Sequence, residues 1–104
     1  MSKLQIKSDS TDTEIVKNLV RSAIESEIKN LHRSLVKTNK LLREFEEKYQ
    51  ISSDFFFTQW TAEDLEGGDR EYVSWAGEIE IQNKLTNSLQ KLEEIEYVTQ
   101  QLSS

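Results

Sequence analysis

Apolar residues recur every three or four positions along most of this chain, which is the spacing of one face of a helix. The longest series comprises Ile24, Ile28, Leu31, Leu35, Thr38, Leu42, Phe45 and Tyr49. Steps that alternate between three and four residues are typical of a helix packed along another helix. Apolar residues between positions 15 and 23 widen this band to roughly half of the helix surface. The pattern predicts a first helix over residues 13–50 that contacts more than one neighbour.

A second series occupies the C-terminal third of the chain. Its predicted seam is Ile81, Leu85, Ser88, Leu92, Ile95, Thr99 and Leu102, with Trp75, Ile79 and Leu89 beside it. A turn over residues 66–69, with Asp69 as helix N-cap, precedes a predicted helix over residues 69–102. Gly77 lies inside this helix at a cost of about 1 kcal/mol relative to alanine. We expect it to allow close approach of another helix.

Four large aromatic residues lie between the two long helices. Ser52, Ser53 and Asp54 form a cluster of N-cap residues that predicts a short helix over residues 53–60. The aromatic residues in it are Phe55, Phe56, Phe57 and Trp60. They have two interpretations: a core that fills the bend of a hairpin, or an exposed contact for a partner protein.

The N-terminal segment has a different pattern. Residues 3–7 alternate polar and apolar side chains, as a half-buried strand does, so residues 1–10 are predicted to form an arm or a short strand. Thr11 and Glu14 fit a capping box at the start of the first helix, and Asp12 or Thr13 could serve as the cap instead.

These elements predict an all-α fold with a single domain over residues 1–104. Proline is absent and only three glycines occur, so the helices meet few breakers. Two long helices joined by a compact bend should pack antiparallel as a hairpin. Each helix covers only one side of the other's apolar band, so we predict a homodimer that forms a four-helix bundle. The predicted core and dimer residues are Leu31, Leu35, Leu42, Phe45, Trp75, Leu85, Leu89 and Leu92.

Charge is unevenly distributed along the chain. The net charge is −6, and residues 49–104 contain 3 basic and 11 acidic residues, against 10 and 8 in residues 1–48. An acidic half disfavours general nucleic-acid binding, which requires a cationic surface. A basic row on the first helix is either a solvated face or a contact for an acidic partner or a nucleic-acid backbone. Its members are Lys29, Arg33, Lys37 and Lys40.

DNA binding through the N-terminal arm remains an alternative. Lys3, Gln5 and Lys7 would share one face of a strand, as in ribbon–helix–helix repressors. Such repressors have a short first helix, however, whereas the first helix here continues without interruption.

The sequence offers little for catalysis. Cysteine is absent, and His32 is the only histidine, without a carboxylate three residues before it as in helical-bundle metal sites. No phosphate-binding glycine loop, nucleophile elbow or zinc spacing is present. We therefore predict a protein that is not an enzyme and uses no cofactor or metal.

No apolar run approaches the roughly 18 residues of a membrane span, so the expected location is the cytoplasm, without membrane contact.

The segment around the bend resembles a known family. The matching residues are Tyr49, Ser52, Ser53 and Phe56, then Leu65-Glu66-Gly67-Gly68, and then Trp75-Ala76-Gly77. This pattern is similar to that of small helical prokaryotic proteins encoded beside TumE-type toxins and taken as their antitoxins. The family pattern has a glycine before Leu65 and an acidic residue before Trp75, where this chain has Asp64 and Ser74.

The resemblance implies an antitoxin that neutralises its toxin by direct binding. The residues we expect to contact such a partner are Phe55, Phe57, Trp60, Glu63, Asp64, Glu66, Glu71 and Glu78. An adaptor subunit of another complex is the second hypothesis, and a DNA-binding autoregulator is the third.

Overall fold

The computed structural model of the chain describes residues 10–65 and 68–103, and every regular element in them is helical. Helix α1 spans Ser10–Tyr49, helix α2 spans Ser53–Gln59, a 3₁₀ turn spans Ala62–Leu65, and helix α3 spans Asp69–Ser103. Helices α1 and α3 pack along each other. The predicted all-α hairpin is therefore confirmed. The strand predicted at residues 3–7 lies outside the described residues.

Helix α1 begins one turn earlier than the sequence pattern indicated. It starts at Ser10, so the predicted capping box of Thr11 and Glu14 lies inside the helix and does not mark its start. Residues 10–13 contain no proline or glycine, so nothing in them breaks a helix. At its other end, Gln50 has a φ of 57°, the left-handed conformation that commonly follows the last helical residue.

The predicted seam of α1 faces α3 as expected. Its buried members are Ile24, Leu31, Thr38 and Leu42, and its half-buried members are Ile28, Leu35, Phe45 and Tyr49. All eight predicted members are buried or half-buried, so this part of the sequence interpretation is confirmed.

The predicted seam of α3 is wrong at Ile81, Ser88 and Ile95, whereas its members Leu85, Leu92 and Thr99 do lie on the side that faces α1. The side that faces α1 comprises Trp75, Ile79, Gln82, Leu85, Leu89, Leu92, Glu96 and Thr99, all buried or half-buried. In contrast, Ile81 and Ile95 are 43% and 50% exposed, and Ser88 is exposed as well. Helix α3 carries two apolar stripes that share Leu85 and Leu92. Burial of Trp75, the largest apolar side chain in the helix, decides which stripe turns inward.

The predictions for Asp69 and Gly77 also need correction. Gly68, and not Asp69, holds the N-cap position of α3, because its carbonyl accepts the Tyr72 N–H at 2.9 Å and Asp69 is already helical. A Cβ on Gly77 would have no atom within 4 Å, so this glycine does not serve a close approach of α1.

The main core lies at the bend of the hairpin. Its buried members are Leu42, Phe56, Leu65, Trp75 and Ile79, which come from all four elements. The opposite, open end has several exposed apolar side chains: Ile15, Leu19, Tyr97 and Val98.

Among the described residues, no helix has the combination of length and apolar character that a membrane span requires.

Candidate protein-binding surface at the bend

The three consecutive phenylalanines of α2 have different environments. Phe56 is fully buried, whereas Phe55 and Phe57 are 50% and 48% exposed. Successive helical side chains point about 100° apart, so directing Phe56 into the core leaves its two neighbours on the flanks of the helix. The sequence left open whether these aromatics are core or contact surface, and the structure divides them between the two.

Stacked aromatic rings on the buried side of α2 hold this helix in place. The ring of Phe56 lies 3.9 Å from that of Trp75 with an interplanar angle of 6°, and Phe45 stacks on Trp75 at 5.3 Å. Tyr72 adds a tilted contact with Phe56 at 5.1 Å. Because Phe45 belongs to α1, and Trp75 and Tyr72 belong to α3, this stack fixes the short helix against both long ones.

A chain of hydrogen bonds fixes the start of α2. The Oγ of Ser52 accepts the Phe55 N–H at 3.1 Å and so caps the helix. The backbone N–H of Ser53 donates to Glu46 Oε2 at 2.8 Å, and its Oγ accepts the Trp75 Nε1–H at 2.9 Å. These contacts give Ser52 and Ser53 a structural role at the bend.

An ion pair joins α1 to the first turn of α3. The Nζ of Lys48 donates to Glu71 at 2.8 Å, and the Tyr49 hydroxyl donates to the same carboxylate at 2.9 Å. Hydrogen bonding to Lys48, with a further contribution from Tyr49, lowers the pKa of Glu71. The hydrogen bond to Glu71 raises the pKa of Lys48. Burial, followed by the hydrogen bond to Glu71, raises the pKa of Tyr49.

Two other predicted contact residues have local roles. Trp60 is half-buried, packs edge-on against Tyr49 at 6.1 Å, and donates its backbone N–H to the Phe56 carbonyl. Asp64 is exposed, and its Oδ2 accepts the Thr61 N–H at 2.7 Å. Both residues help to shape the bend, which leaves less of each side chain for a partner.

The remaining predicted contact residues are placed differently. Glu63 is exposed beside the 3₁₀ turn, and Glu78 is half-buried in a groove between α1 and α3. Glu66 lies outside the described residues. Asp54 of α2, which the sequence interpretation had treated only as a cap residue, is exposed and precedes Phe55 in the chain. The bend surface is therefore defined here as Asp54, Phe55, Phe57 and Glu63.

Other candidate sites lie away from the bend surface. The basic row of Lys29, Arg33, Lys37 and Lys40 is exposed along α1, as is His32. Lys3, Gln5 and Lys7, the predicted nucleic-acid contacts, are outside the described residues. Within residues 10–65 and 68–103, no three side chains of the metal-binding types converge.

The eight predicted core and dimer residues lie on the contact between α1 and α3. Leu31, Leu42 and Trp75 are buried, and the other five (Leu35, Phe45, Leu85, Leu89 and Leu92) are half-buried.

Comparison with known proteins gives no match: no family model, no curated protein and no solved structure matches this chain.

Proposed function

We propose that this chain is a non-catalytic protein-binding module, and that it acts as the antitoxin of a toxin–antitoxin pair by direct binding of a basic toxin. The observation that carries the binding role is the exposure of Phe55 and Phe57 on either side of the buried Phe56. Exposed aromatic side chains on a rigid support supply large contact area at low cost in conformational entropy.

The rigidity of the support strengthens the proposal. Phe56 stacks on Trp75, and Ser52 and Ser53 hold the start of α2 through hydrogen bonds. A partner that covers Phe55 and Phe57 would therefore meet a preorganised surface, which reduces the entropy lost on binding.

The charge of the surface favours a basic partner. Asp54 and Glu63 are exposed near the two phenylalanines in the chain, and the whole protein carries a net charge of −6. Complementary charge accelerates encounter and disfavours acidic competitors. The resemblance of the bend motif to antitoxins encoded beside TumE-type toxins is what directs this proposal to a toxin.

The test measures binding to the product of the adjacent open reading frame by isothermal titration calorimetry. We expect binding by the wild-type chain and a loss of at least about 30-fold in affinity for the double variant Phe55→Ser/Phe57→Ser, since central aromatic contacts are worth about 2 kcal/mol or more. Val36→Ser is the matched control, because Val36 is an exposed apolar residue of α1 outside the bend.

Two results would contradict the proposal. If the neighbouring gene product does not bind, the antitoxin role fails. If it binds equally well to the double variant, the bend surface is not the contact. Toxicity of that gene product in cells, relieved by co-expression of this chain, separates an antitoxin from an adaptor subunit.

We further propose that the chain acts as a homodimer. Each long helix has apolar residues that the other does not cover, among them Leu19 and Val20 on α1 and Ile81 and Ile95 on α3. Pairing of two hairpins into a four-helix bundle would remove such residues from water.

A further inference from the structure

One flank of the hairpin has the character of a helix-bundle interface. A groove of about 280 Å³ runs between α1 and α3 on this side. Its lining residues are Ser34, Lys37, Thr38, Leu41, Glu78, Ile81 and Leu85. Thr38 is buried and Ile81 is 43% exposed, so the α3 side of the groove has an apolar rim that water still reaches.

The apolar rim continues along α3 beyond the groove. Ile81, Ser88 and Ile95 are separated by seven residues each, so they share one side of the helix. All three are exposed, and Leu85 and Leu92, which lie between them, are only half-buried. The second stripe of α3, defined here as Ile81, Leu85, Ser88, Leu92 and Ile95, thus presents a heptad pattern to solvent over roughly 21 Å.

Helix α1 contributes to the same flank. Leu41 and Ser34 line the groove, and Val20 lies two further heptads towards the N-terminus on the same side of the helix. Val20 is exposed, and Glu27 occupies the position between it and Ser34. On α3 the flank is therefore apolar apart from Ser88, whereas on α1 it alternates the apolar Leu41 and Val20 with the polar Ser34 and Glu27.

The chain exposes more surface than a compact monomer of its mass, enough for an interface of ordinary size. The accessible surface is 7976 Å² for a mass of 12.1 kDa, whereas a compact monomer of this mass exposes about 6,000 Å². The radius of gyration of 20.6 Å likewise exceeds the roughly 13 Å of a compact domain of this length. The difference in area is larger than the roughly 800 Å² that each partner contributes to a standard interface.

The charge of the flank suits a second copy better than a basic partner. Lys37 and Glu78 are the two charged side chains that line the groove, so its net charge is zero in a chain of net charge −6. The second stripe of α3 adds only leucine, isoleucine and serine. The groove and the stripe together are neutral and Glu27 adds one carboxylate, so this flank can pair with itself while the more acidic remainder of each molecule stays apart.

We infer that this flank is the homodimer interface, in which the second stripe of α3 and the Leu41 side of α1 pack against the same flank of a second copy as a four-helix bundle. The inference rests on the homodimer part of the proposed function and specifies its contact, but it does not depend on the protein bound at the bend. Leu85 and Leu92 contribute to both contacts, which explains why α3 has two apolar stripes.

The experiment measures mass in solution by light scattering coupled to gel filtration, at tens of micromolar protein. We expect twice the chain mass of 12.1 kDa for the wild type, and the chain mass for Ile81→Asp/Ile95→Asp. Burial of unpaired carboxylates should raise the dimer dissociation constant by more than about 100-fold. Ser88→Arg is the second variant, because Ser88 is exposed and its replacement leaves the hairpin core intact. Far-UV circular dichroism checks that each variant remains helical.

Val36→Asp is the matched control, since Val36 is an exposed apolar residue of α1 that does not line the groove. It should remain dimeric. A monomeric wild type would overturn the inference, as would a dimer that survives both Ile81→Asp/Ile95→Asp and Ser88→Arg. Should the double variant unfold, the result for Ser88→Arg decides.

The outcomes separate this inference from binding at the bend. A monomeric Ser88→Arg variant that still binds the neighbouring gene product supports two independent surfaces. A wild-type dimer that does not bind the neighbouring gene product supports the homodimer interface and contradicts the antitoxin role.

Discussion

The indole Nε1–H of Trp75 donates a hydrogen bond of 2.9 Å to the Oγ of Ser53, which joins the centre of the core to the first residue of α2. Trp75 is fully buried, so Ser53 supplies a hydrogen-bond acceptor where water has little access. The same serine donates its backbone N–H to Glu46 on α1. One residue therefore links all three helices at the bend.

Replacement of Ser53 by alanine should lower the free energy of unfolding by about 1–2 kcal/mol, because it leaves a buried N–H donor unpaired. Urea denaturation followed by circular dichroism measures this change. Ser53→Thr, which keeps a hydroxyl, is the control and should lose less. Equal stability of Ser53→Ala and the wild type would show that the bond contributes nothing.

The adjacent phenylalanines of α2 should respond very differently to truncation. Phe56→Ala removes a fully buried ring from the stack on Trp75 and should cost about 3–5 kcal/mol. Phe57→Ala removes a half-exposed ring and should cost less than about 1 kcal/mol. Chemical denaturation of both variants gives the comparison. Similar losses would mean that Phe57 belongs to the core and is not free for a partner.

Gly68 and Gly77 form a second matched pair. A Cβ on Gly68 would lie 2.7 Å from the Leu65 carbonyl oxygen, so Gly68→Ala forces backbone movement and should cost about 1–3 kcal/mol. A Cβ on Gly77 meets no atom within 4 Å, so Gly77→Ala should stabilise α3 by up to about 1 kcal/mol. Thermal unfolding should give a lower Tm for the first variant and a higher Tm for the second. A lower Tm for Gly77→Ala would contradict the open space found around this glycine within the chain.

The Lys48–Glu71 pair should make stability depend on acid pH. The pKa of Glu71 is lower in the folded chain than its ordinary value, because the carboxylate accepts hydrogen bonds from Lys48 and Tyr49. Its stabilising contribution is therefore present above the ordinary pKa of glutamate and is lost as the pH falls through the lowered value.

Glu71→Gln tests this contribution. The variant should be less stable than the wild type at pH 7, and the difference should shrink as the pH falls below about 4. Urea denaturation at several pH values measures it. High salt should also reduce the difference, because the pair is partly exposed. A difference that stays constant with pH would show that ionisation of Glu71 does not contribute.

Much of the fold follows from local properties of the sequence. The seam of α1 was predicted residue by residue, because its three-and-four spacing continues without interruption from Ile24 to Tyr49. The start of α2 also follows from the sequence, since Ser52 is a strong N-cap residue. The 3₁₀ turn was not predicted, because its four residues are too few to show a period.

The candidate surface could be predicted only in part. Phe55 and Phe57 were named as contact residues, but so was Trp60, which is half-buried against the core. A helix of seven residues has too few turns to reveal which side faces inward. That choice depends on the ring of Trp75, which is distant in the sequence and reaches Phe56 only after the hairpin has formed.

The sequence by itself determined that two long helices form, that the chain turns back between them, and which side of α1 is apolar. These properties depend on neighbouring residues and on the period of the helix. Only the tertiary structure decided how α3 is rotated, and therefore that Ile79 is buried while Ile81 and Ile95 remain exposed. Both stripes of α3 are apolar and have helical spacing. The choice between them is made by packing of Trp75 against Phe45 and Phe56, which no local pattern contains.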